Sequence, residues 1–380
     1  MQIKSVKCHL MTVDLAKNAF SWPGGSLRYW TTALAEILTD DGMRGLGECY
    51  IGVSAPRPAA ALIEQFGELL IGQNPLDIPF LLERMRSKSL FWAKAGLPLA
   101  VIGVLENALW DIAGQASSAP VWRLLGGLAH QKLPVYASGG LDSTETGLAR
   151  ELEGYREKGF RAVKIRIGSS LKNDVAKVQF ARKILGGEIE LMVDAVMGHH
   201  PRPWSGKEAL EHARALEEFQ LAWFEEPCGN LDYAGYAFVR AHSKIPVAGG
   251  ESATGVQEHL RFLDADALDW IQPDAAHAGG ILECKAVSVL AQARGVRTAY
   301  HSWGAAPCLW ANYHLAFSDP NARYLEFPTH GLPLIEELSV EPFKIVNGCM
   351  SAPATPGLGV QLTAEVLNRY PHRPGTHFWP

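Results

Sequence analysis

The chain has 380 residues, of which 47% are hydrophobic, 20% charged and 9% aromatic. That composition is globular, and the length suffices for two or three structural units around at least one large core. With 35 Lys and Arg against 40 Asp and Glu, the formal charge is -5; no basic excess exists to hold a phosphate backbone, which argues against nucleic acid as a partner.

The amino-terminal stretch MQIKSVKCHLMTVDLAKNAF alternates polar and apolar residues and lacks the continuous apolar core of a signal peptide or membrane span. IKSVKCHLMTV and TTALAEILTD read as strands, and the second ends at Asp40, Asp41 and Gly42, a hairpin turn signal before MRGLGECYI. Pro23, Gly24 and Gly25 mark a loop between the first two strands. Beyond Pro56 and Pro58 the pattern turns helical. PLAVIGVLENALWDIAGQASSAPVWRLLGG sets Val101, Leu105, Leu109, Ile112 and Ala113 at helical intervals and closes at a glycine pair. Residues 1–130 are thus expected to form an α+β unit. Six cysteines, at 8, 49, 228, 284, 308 and 349, include no CxxC pair. They read as buried thiols of a reducing compartment, so the expected location is the cytoplasm.

From residue 131 the rhythm changes. Short apolar runs recur at PVYAS, AVKIRI, IELMVDA, AWFEEP, PVAGGE, DWIQPD, RTAYH and RYLEF. They lie roughly 23 to 31 residues apart, room for a strand, a helix and two loops. Eight such strands close a β/α barrel, here over residues 131–335. An open doubly wound sheet is the competitor, weakened because no G-x-G-x-x-G opens a helix after an early strand. Residues 336–380 read as strand and loop that return to the first unit.

Charge interrupts these runs at their ends: Lys164 and Arg166, Asp194, Glu225 and Glu226, Glu251, Asp274, His301 and Glu326. The carboxyl end of barrel strands is where active sites are assembled. Strand alternation puts Lys164 and Arg166 on one face, Met192 with Asp194, and Trp223 with Glu225, which directs Glu225 inward and turns Glu226 toward the helices or the strand end. Each carboxylate alone reads equally well as a helix cap. Asp194, Glu225 and Glu251 on three adjacent strands would repel one another unless a hard divalent cation joins them, and all-oxygen ligands suit Mg²⁺, or Mn²⁺. Asp274 and His301 on neighbouring strands suggest a dyad in which the carboxylate orients the imidazole as a general base. His199 and His200, in the loop after Asp194, read as incidental, and Tyr136 as core.

The chain resembles the enolase superfamily, in particular the mandelate racemase subgroup of the mandelate racemase/muconate lactonizing enzyme family. NALWDIAGQASSAPVWRLLGG, VKIRIG, VDAVMG, FEEP, GGES, QPDAAHAGGI, YHSWG and LEFP stand in family order along nearly the whole chain. The resemblance implies a modified (β/α)₇β barrel under an α+β capping domain built from both chain ends. It implies Asp194, Glu225 and Glu251 as Mg²⁺ ligands and Asp274–His301 as the base. Glu326, protonated, would donate to a substrate carboxylate that Lys164 meets from the other side. The shared chemistry would be removal of the proton α to a carboxylate. Homo-oligomerisation is expected from the family alone.

One position departs from the racemase pattern, which has Lys-x-Lys where this chain has Lys164-Ile165-Arg166. Arginine stays protonated and is a poor proton acceptor. One competent base favours dehydration of an acid sugar to a 2-keto-3-deoxy acid over racemisation or epimerisation of a 2-hydroxy carboxylate. Val196 stands where the galactonate type has histidine, so that specificity is not assigned. A metal-binding barrel without catalysis is the alternative outside enzymes. Substrate side chains are expected to meet mobile capping loops, Phe20 to Trp30 and Tyr50 to Arg57, with Trp22 and Tyr50 enclosing the sugar and Arg28 or Arg57 meeting a second carboxylate.

Overall fold

Two strand-forming stretches with a tight turn build the first layer. The computed structural model describes residues 1–22, 25–142 and 144–376, so Pro23 and Gly24 of the expected loop lie outside the described residues. β1 (Ile3–Asp14) pairs antiparallel with β4 (Tyr29–Thr39), and β4 with β5 (Arg44–Cys49) across the turn at Asp40–Gly42. Gly42 there has φ of 91°, a left-handed conformation that a side chain would strain. Between β1 and β4, β2 (Phe20–Trp22) and β3 (Gly25–Leu27) pair as a small hairpin, so the expected mobile loop is partly ordered structure. Alternation explains it: Phe20 and Trp22 turn one way onto the core while Ser21 faces solvent.

Three helices cover the sheet: α1 (Pro56–Glu68), α2 (Ile78–Ser89) and α3 (Leu97–Ala116). Ala59, Ile63 and Phe66 form the buried stripe of α1. The helix expected to run on past residue 116 breaks, because Pro120 lacks an N–H and starts the separate short α4 (Val121–Leu124). α3 is apolar enough to cross a membrane by length and composition, yet it is the buried core helix of this unit. It lies directly on the second unit: a Cβ on Gly103 would stand 2.1 Å from the Gly279 carbonyl carbon.

The eight apolar runs become eight parallel strands: β6 (Lys132–Gly139), β7 (Ala162–Arg166), β8 (Glu190–Asp194), β9 (Phe224–Glu225), β10 (Val247–Gly249), β11 (Trp270–Ile271), β12 (Arg297–Thr298) and β13 (Leu325–Pro328). Their order is β12-β11-β10-β9-β8-β7-β6-β13, and a parallel bridge from Thr298 to Ala322 joins the two edges. The seven intervals hold α5 (Glu145–Glu157), α6 (Leu171–Leu185), α7 (Gly206–Leu216), α8 (Tyr233–His242), α9 (Gly255–Asp264), α10 (Ile281–Ala293) and α11 (Ala306–Ser318). This is the (β/α)₇β arrangement.

Strand parity fills the barrel in layers. Val163, Ile165, Leu191, Val193 and Phe224 face the helices, while Tyr136, Ala162, Met192, Trp223, Ala248, Trp270 and Ala299 pack together inside. Tyr136, Met192, Trp223 and Trp270 fill the ring with Ala162, Ala248 and Ala299 interspersed, so it closes without a pore. Two residues further along, the inward positions turn polar on the strands other than β10, where Gly250 stands before Glu251. Several strands are only two residues long, so Glu251, Asp274 and His301 stand just beyond the paired segments at the carboxyl end. After α12 (Leu334–Glu337), β14 (Cys349–Ser351) pairs antiparallel with β6, and α13 (Ala364–Arg369) leads to a bridge between Pro371 and Met11 of β1.

Candidate active site

The inward polar layer begins with Lys164, fully buried over the Tyr136 ring at 5.4 Å. Its ammonium donates to Glu225 in a short hydrogen bond, lies 3.0 Å from Glu326 Oε1 and 4.0 Å from Asp194 Oδ2. Burial opposes its charge, but Glu225 and Glu326 outweigh that and raise its pKa. Glu225 also accepts from Trp223 Nε1 at 2.7 Å and Gln272 Nε2 at 2.8 Å. Three donors thus meet the deep carboxylate, which as an ionised group keeps a further acceptor position.

Glu326 departs from expectation. It accepts from Ser138 Oγ at 2.6 Å and the Ser302 N–H at 2.8 Å besides Lys164. Burial pushes its carboxyl up, yet Lys164, His301 and Arg166 overcome this and hold it down at about 2. In the unliganded chain it is therefore an ionised acceptor, not the protonated donor the resemblance implies. Three donors and two nearby cations decide the matter.

Arg166 turns out of the deep layer. Its Nη1 donates to Ser138 Oγ at 2.9 Å and Gly139 O at 3.3 Å, its Nε lies 3.5 Å from Asp194 Oδ2, and the guanidinium stacks over Trp303 at 4.3 Å. Burial is outweighed by Asp194 and Glu326, so it stays charged. Trp303 was not singled out from sequence, although it follows His301 by two residues and so shares its parity.

The dyad forms as expected. His301 Nδ1 stands 2.8 Å from Asp274 Oδ2, and the other oxygen, Oδ1, accepts from the Ala276 N–H and from Asn312 Nδ2, each at 2.8 Å. The hydrogen bond to Asp274 fixes the ring and leaves Nε2 facing the site, 3.6 Å from Glu251 Oε2. Burial pulls the imidazolium pKa down, but Glu251, Asp274 and Glu326 push it up to about 10.

Of the expected metal triad, Asp194 and Glu225 are register neighbours on β8 and β9, and Glu225 also accepts from Lys164, Trp223 and Gln272. Among the described residues, the ligand atoms that converge within 4.8 Å of one another belong to Glu251, Glu226 and His199. Glu226 was expected to turn to the helices or the strand end; it stands at the strand end with φ of 44° and faces Glu251. Five carboxylates (Asp194, Glu225, Glu226, Glu251, Glu326) share this volume with two fixed cations, Lys164 and Arg166. Both Glu226 oxygens are buried without a hydrogen-bond partner among the described residues. That donor set, rich in oxygen and short of positive charge, fits a divalent cation.

Above this floor lies a cavity whose lining includes Arg166, Asp194, His199, Glu251 and His301 below and Phe20, Trp22, Trp30, Tyr50 and Trp303 above. Trp22 and Tyr50 thus reach the site as expected. Arg28 and Arg57 do not. Leu27 faces the cavity, so the adjacent Arg28 points away and pairs with Asp14 at 3.2 Å. Arg57 is exposed on α1, off its buried stripe. A second cavity of about 450 Å³ shares Trp22, Leu141 and Arg166 with the first and opens onto Ser169, Asn173 and Lys177.

Comparison with known proteins identifies both units of the chain. Residues 12–126 fit the mandelate racemase/muconate lactonizing enzyme N-terminal domain, and residues 147–366 the enolase C-terminal domain-like family. D-galactarolactone cycloisomerase of Agrobacterium fabrum is 31% identical over 97% of this chain and 99% of its own. D-galactonate dehydratase of Cronobacter sakazakii is 32% identical over 87% of this chain and 88% of its own. A racemase of Streptomyces coelicolor, crystallised with magnesium, superposes with a TM-score of 0.88 at 29% identity, covering 97% of this chain and 99% of that one. The chain belongs to the mandelate racemase/muconate lactonizing enzyme family of the enolase superfamily.

Proposed function

We propose that the protein removes the proton α to the carboxylate of an acid sugar and expels the β-oxygen, with dehydration to a 2-keto-3-deoxy acid as the reaction. The observation that carries this is a single oriented base, the Asp274–His301 dyad, beside two cationic side chains that cannot accept a proton. A divalent cation, Mg²⁺ or Mn²⁺, would be held at Asp194, Glu225 and Glu251. When bound it supplies positive charge to the substrate carboxylate as the enediolate gathers negative charge.

The chain's own groups then divide the work. With a cation at Glu251 offsetting the charge that otherwise holds His301 protonated, His301 Nε2 takes the α-proton while Asp274 stabilises the imidazolium that results. Lys164 and Arg166 lie on the same inward face and add fixed charge where the enediolate forms. Collapse of the enediolate expels the β-hydroxyl, and the proton held on His301 goes to that leaving oxygen in a syn elimination. One water is lost and the enol becomes the ketone. The second cavity, lined by hydroxyl, amide and ammonium groups, gives the distal hydroxyls of a sugar acid room beyond Arg166.

Racemisation needs an acceptor on each face, and neither Lys164 nor Arg166 is one. A cycloisomerase reading shares every step up to the enediolate and differs only in that the departing oxygen is tethered in a ring. The similarity to D-galactarolactone cycloisomerase favours keeping it beside dehydration. The test is incubation with Mg²⁺ and a library of mono- and di-acid sugars and their lactones, followed by mass spectrometry. Dehydration appears as loss of one water and cycloisomerisation as unchanged mass with a new keto group; either must vanish in His301→Asn. Turnover that survives in His301→Asn removes the dyad from the mechanism, and a metal-binding barrel without catalysis predicts no turnover in either protein.

A further inference from the structure

Three potential ligand atoms converge on the side of Glu251 away from the dyad. One oxygen of Glu251, one of Glu226 and a ring nitrogen of His199 lie within 4.8 Å of one another. His199 Nε2 is 3.5 Å from Glu251 Oε1, while His301 Nε2 is 3.6 Å from the other oxygen, Oε2. The two histidines flank one carboxylate.

Glu226 supplies the independent observation. It is 1% exposed, and both of its oxygens are buried without a hydrogen-bond partner among the described residues. An ionised carboxylate stripped of water and set against a second carboxylate is strongly unfavourable unless a proton neutralises it or a cation lies between them.

The backbone is shaped to hold this arrangement. A Cβ on Gly198 would stand 2.4 Å from Glu226 Oε1, so only glycine leaves the carboxylate its place. Val196 and Glu226 both sit in the left-handed region, with φ of 53° and 44°. Non-glycine residues adopt it only where the surroundings compel them, often at functional sites. The Met197 N–H donates to Glu226 O at 3.1 Å, tying the turn Met197–His199 to the glutamate it faces.

We infer that the cation seat extends to His199 and Glu226: a divalent ion bound to Glu251 takes His199 as a nitrogen ligand, with Glu226 closing that side. The inference rests on the cation reading above and adds donors that the family resemblance does not supply. A nitrogen donor changes which ion the site prefers. Mg²⁺ favours a near-ideal octahedron of oxygens, whereas Mn²⁺ lies on the transition series whose members accept imidazole. The site therefore binds Mn²⁺ in preference to Mg²⁺.

The experiment is pulsed electron paramagnetic resonance on the full-length protein loaded with Mn²⁺, with calorimetric titration of Mn²⁺ and Mg²⁺ alongside. The wild type shows nitrogen modulation on the Mn²⁺ signal. His199→Gln abolishes it and weakens Mn²⁺ about 10-fold or more with a smaller effect on Mg²⁺, and Glu226→Gln weakens both ions. Circular dichroism confirms that each variant is folded. A wild-type Mn²⁺ signal without nitrogen modulation, or modulation that persists in His199→Gln, overturns the inference and leaves the carboxylate site standing. A wild type that binds neither ion overturns the cation reading itself.

Discussion

Asn312, fully buried on α11, donates from Nδ2 to Asp274 Oδ1 at 2.8 Å and accepts from the Ala275 N–H at 2.9 Å. One side chain thus clamps both the carboxylate that orients His301 and the backbone that carries it. α11 is itself held by the capping domain, since Glu48 on β5 accepts from the N–H groups of Ala305 and Cys308 at its N-terminus. The capping unit helps to set the base geometry besides covering the substrate.

Asp274→Asn should therefore remove the oriented tautomer of His301 and lower kcat by about 10³- to 10⁴-fold, by analogy with other carboxylate–histidine dyads. Asn312→Leu should lower it less, about 10- to 100-fold, with KM little changed. Steady-state kinetics on both variants check the order; an Asn312→Leu enzyme as active as wild type would show that the clamp is dispensable.

Lys164 is the only cation in contact with both Glu225 and Glu326 among the described residues. Its removal as Lys164→Met leaves two buried carboxylates without their counter-charge, and the expected loss of stability is about 3–5 kcal/mol. Urea denaturation of the metal-free protein measures this. A loss within 1 kcal/mol of zero would mean, at about the scale of a surface pair, that the buried network is not ionised as described.

The metal-free protein should also carry a pH signature of His301. Its folded pKa, about 10, is raised above the ordinary 6.5, so its contribution to stability is complete below about 6.5 and is lost as pH rises through about 10. In the presence of a chelator, the stability difference between wild type and His301→Asn should shrink across that window. A cation at Glu251 cancels the charge that raises His301 and should move the loss to lower pH. A difference that stays constant with pH contradicts the stated electrostatics.

Gly198→Ala places a methyl carbon 2.4 Å from Glu226 Oε1, which must then move. Affinity for divalent ions should fall about 10- to 100-fold while the fold persists, since position 198 borders the site and not the apolar core. Calorimetry reads the affinity, and unaltered binding would remove Glu226 from the cation's surroundings.

Much of this site was legible in the sequence because strand parity is rigid. Trp223 and Glu225, Met192 and Asp194, and Ala162, Lys164 and Arg166 each stack inward as their spacing requires. The misses lie where the backbone leaves regular alternation. Glu226 is itself left-handed and His199 follows the left-handed Val196, and such residues redirect the chain in ways a period of two cannot express. Arg28 and Arg57 were expected at the substrate for their charge alone, and neighbouring Leu27 and Pro56, both buried, show the faces they turn away from. The hairpin at Phe20–Leu27 was hidden because its pairing depends on contacts with Trp303 and His330, 6.4 and 5.8 Å from Phe20 by ring centroid, hundreds of residues away.

The most direct test of the central claim is proton NMR in D₂O on the Mg²⁺-loaded protein with the acid-sugar library. The account predicts loss of the α-proton signal of at least one acid and growth of a 2-keto-3-deoxy product carrying solvent deuterium at C3, both abolished in His301→Asn and by chelation of the metal. A library in which every α-proton persists, or in which His301→Asn behaves as wild type, would contradict it.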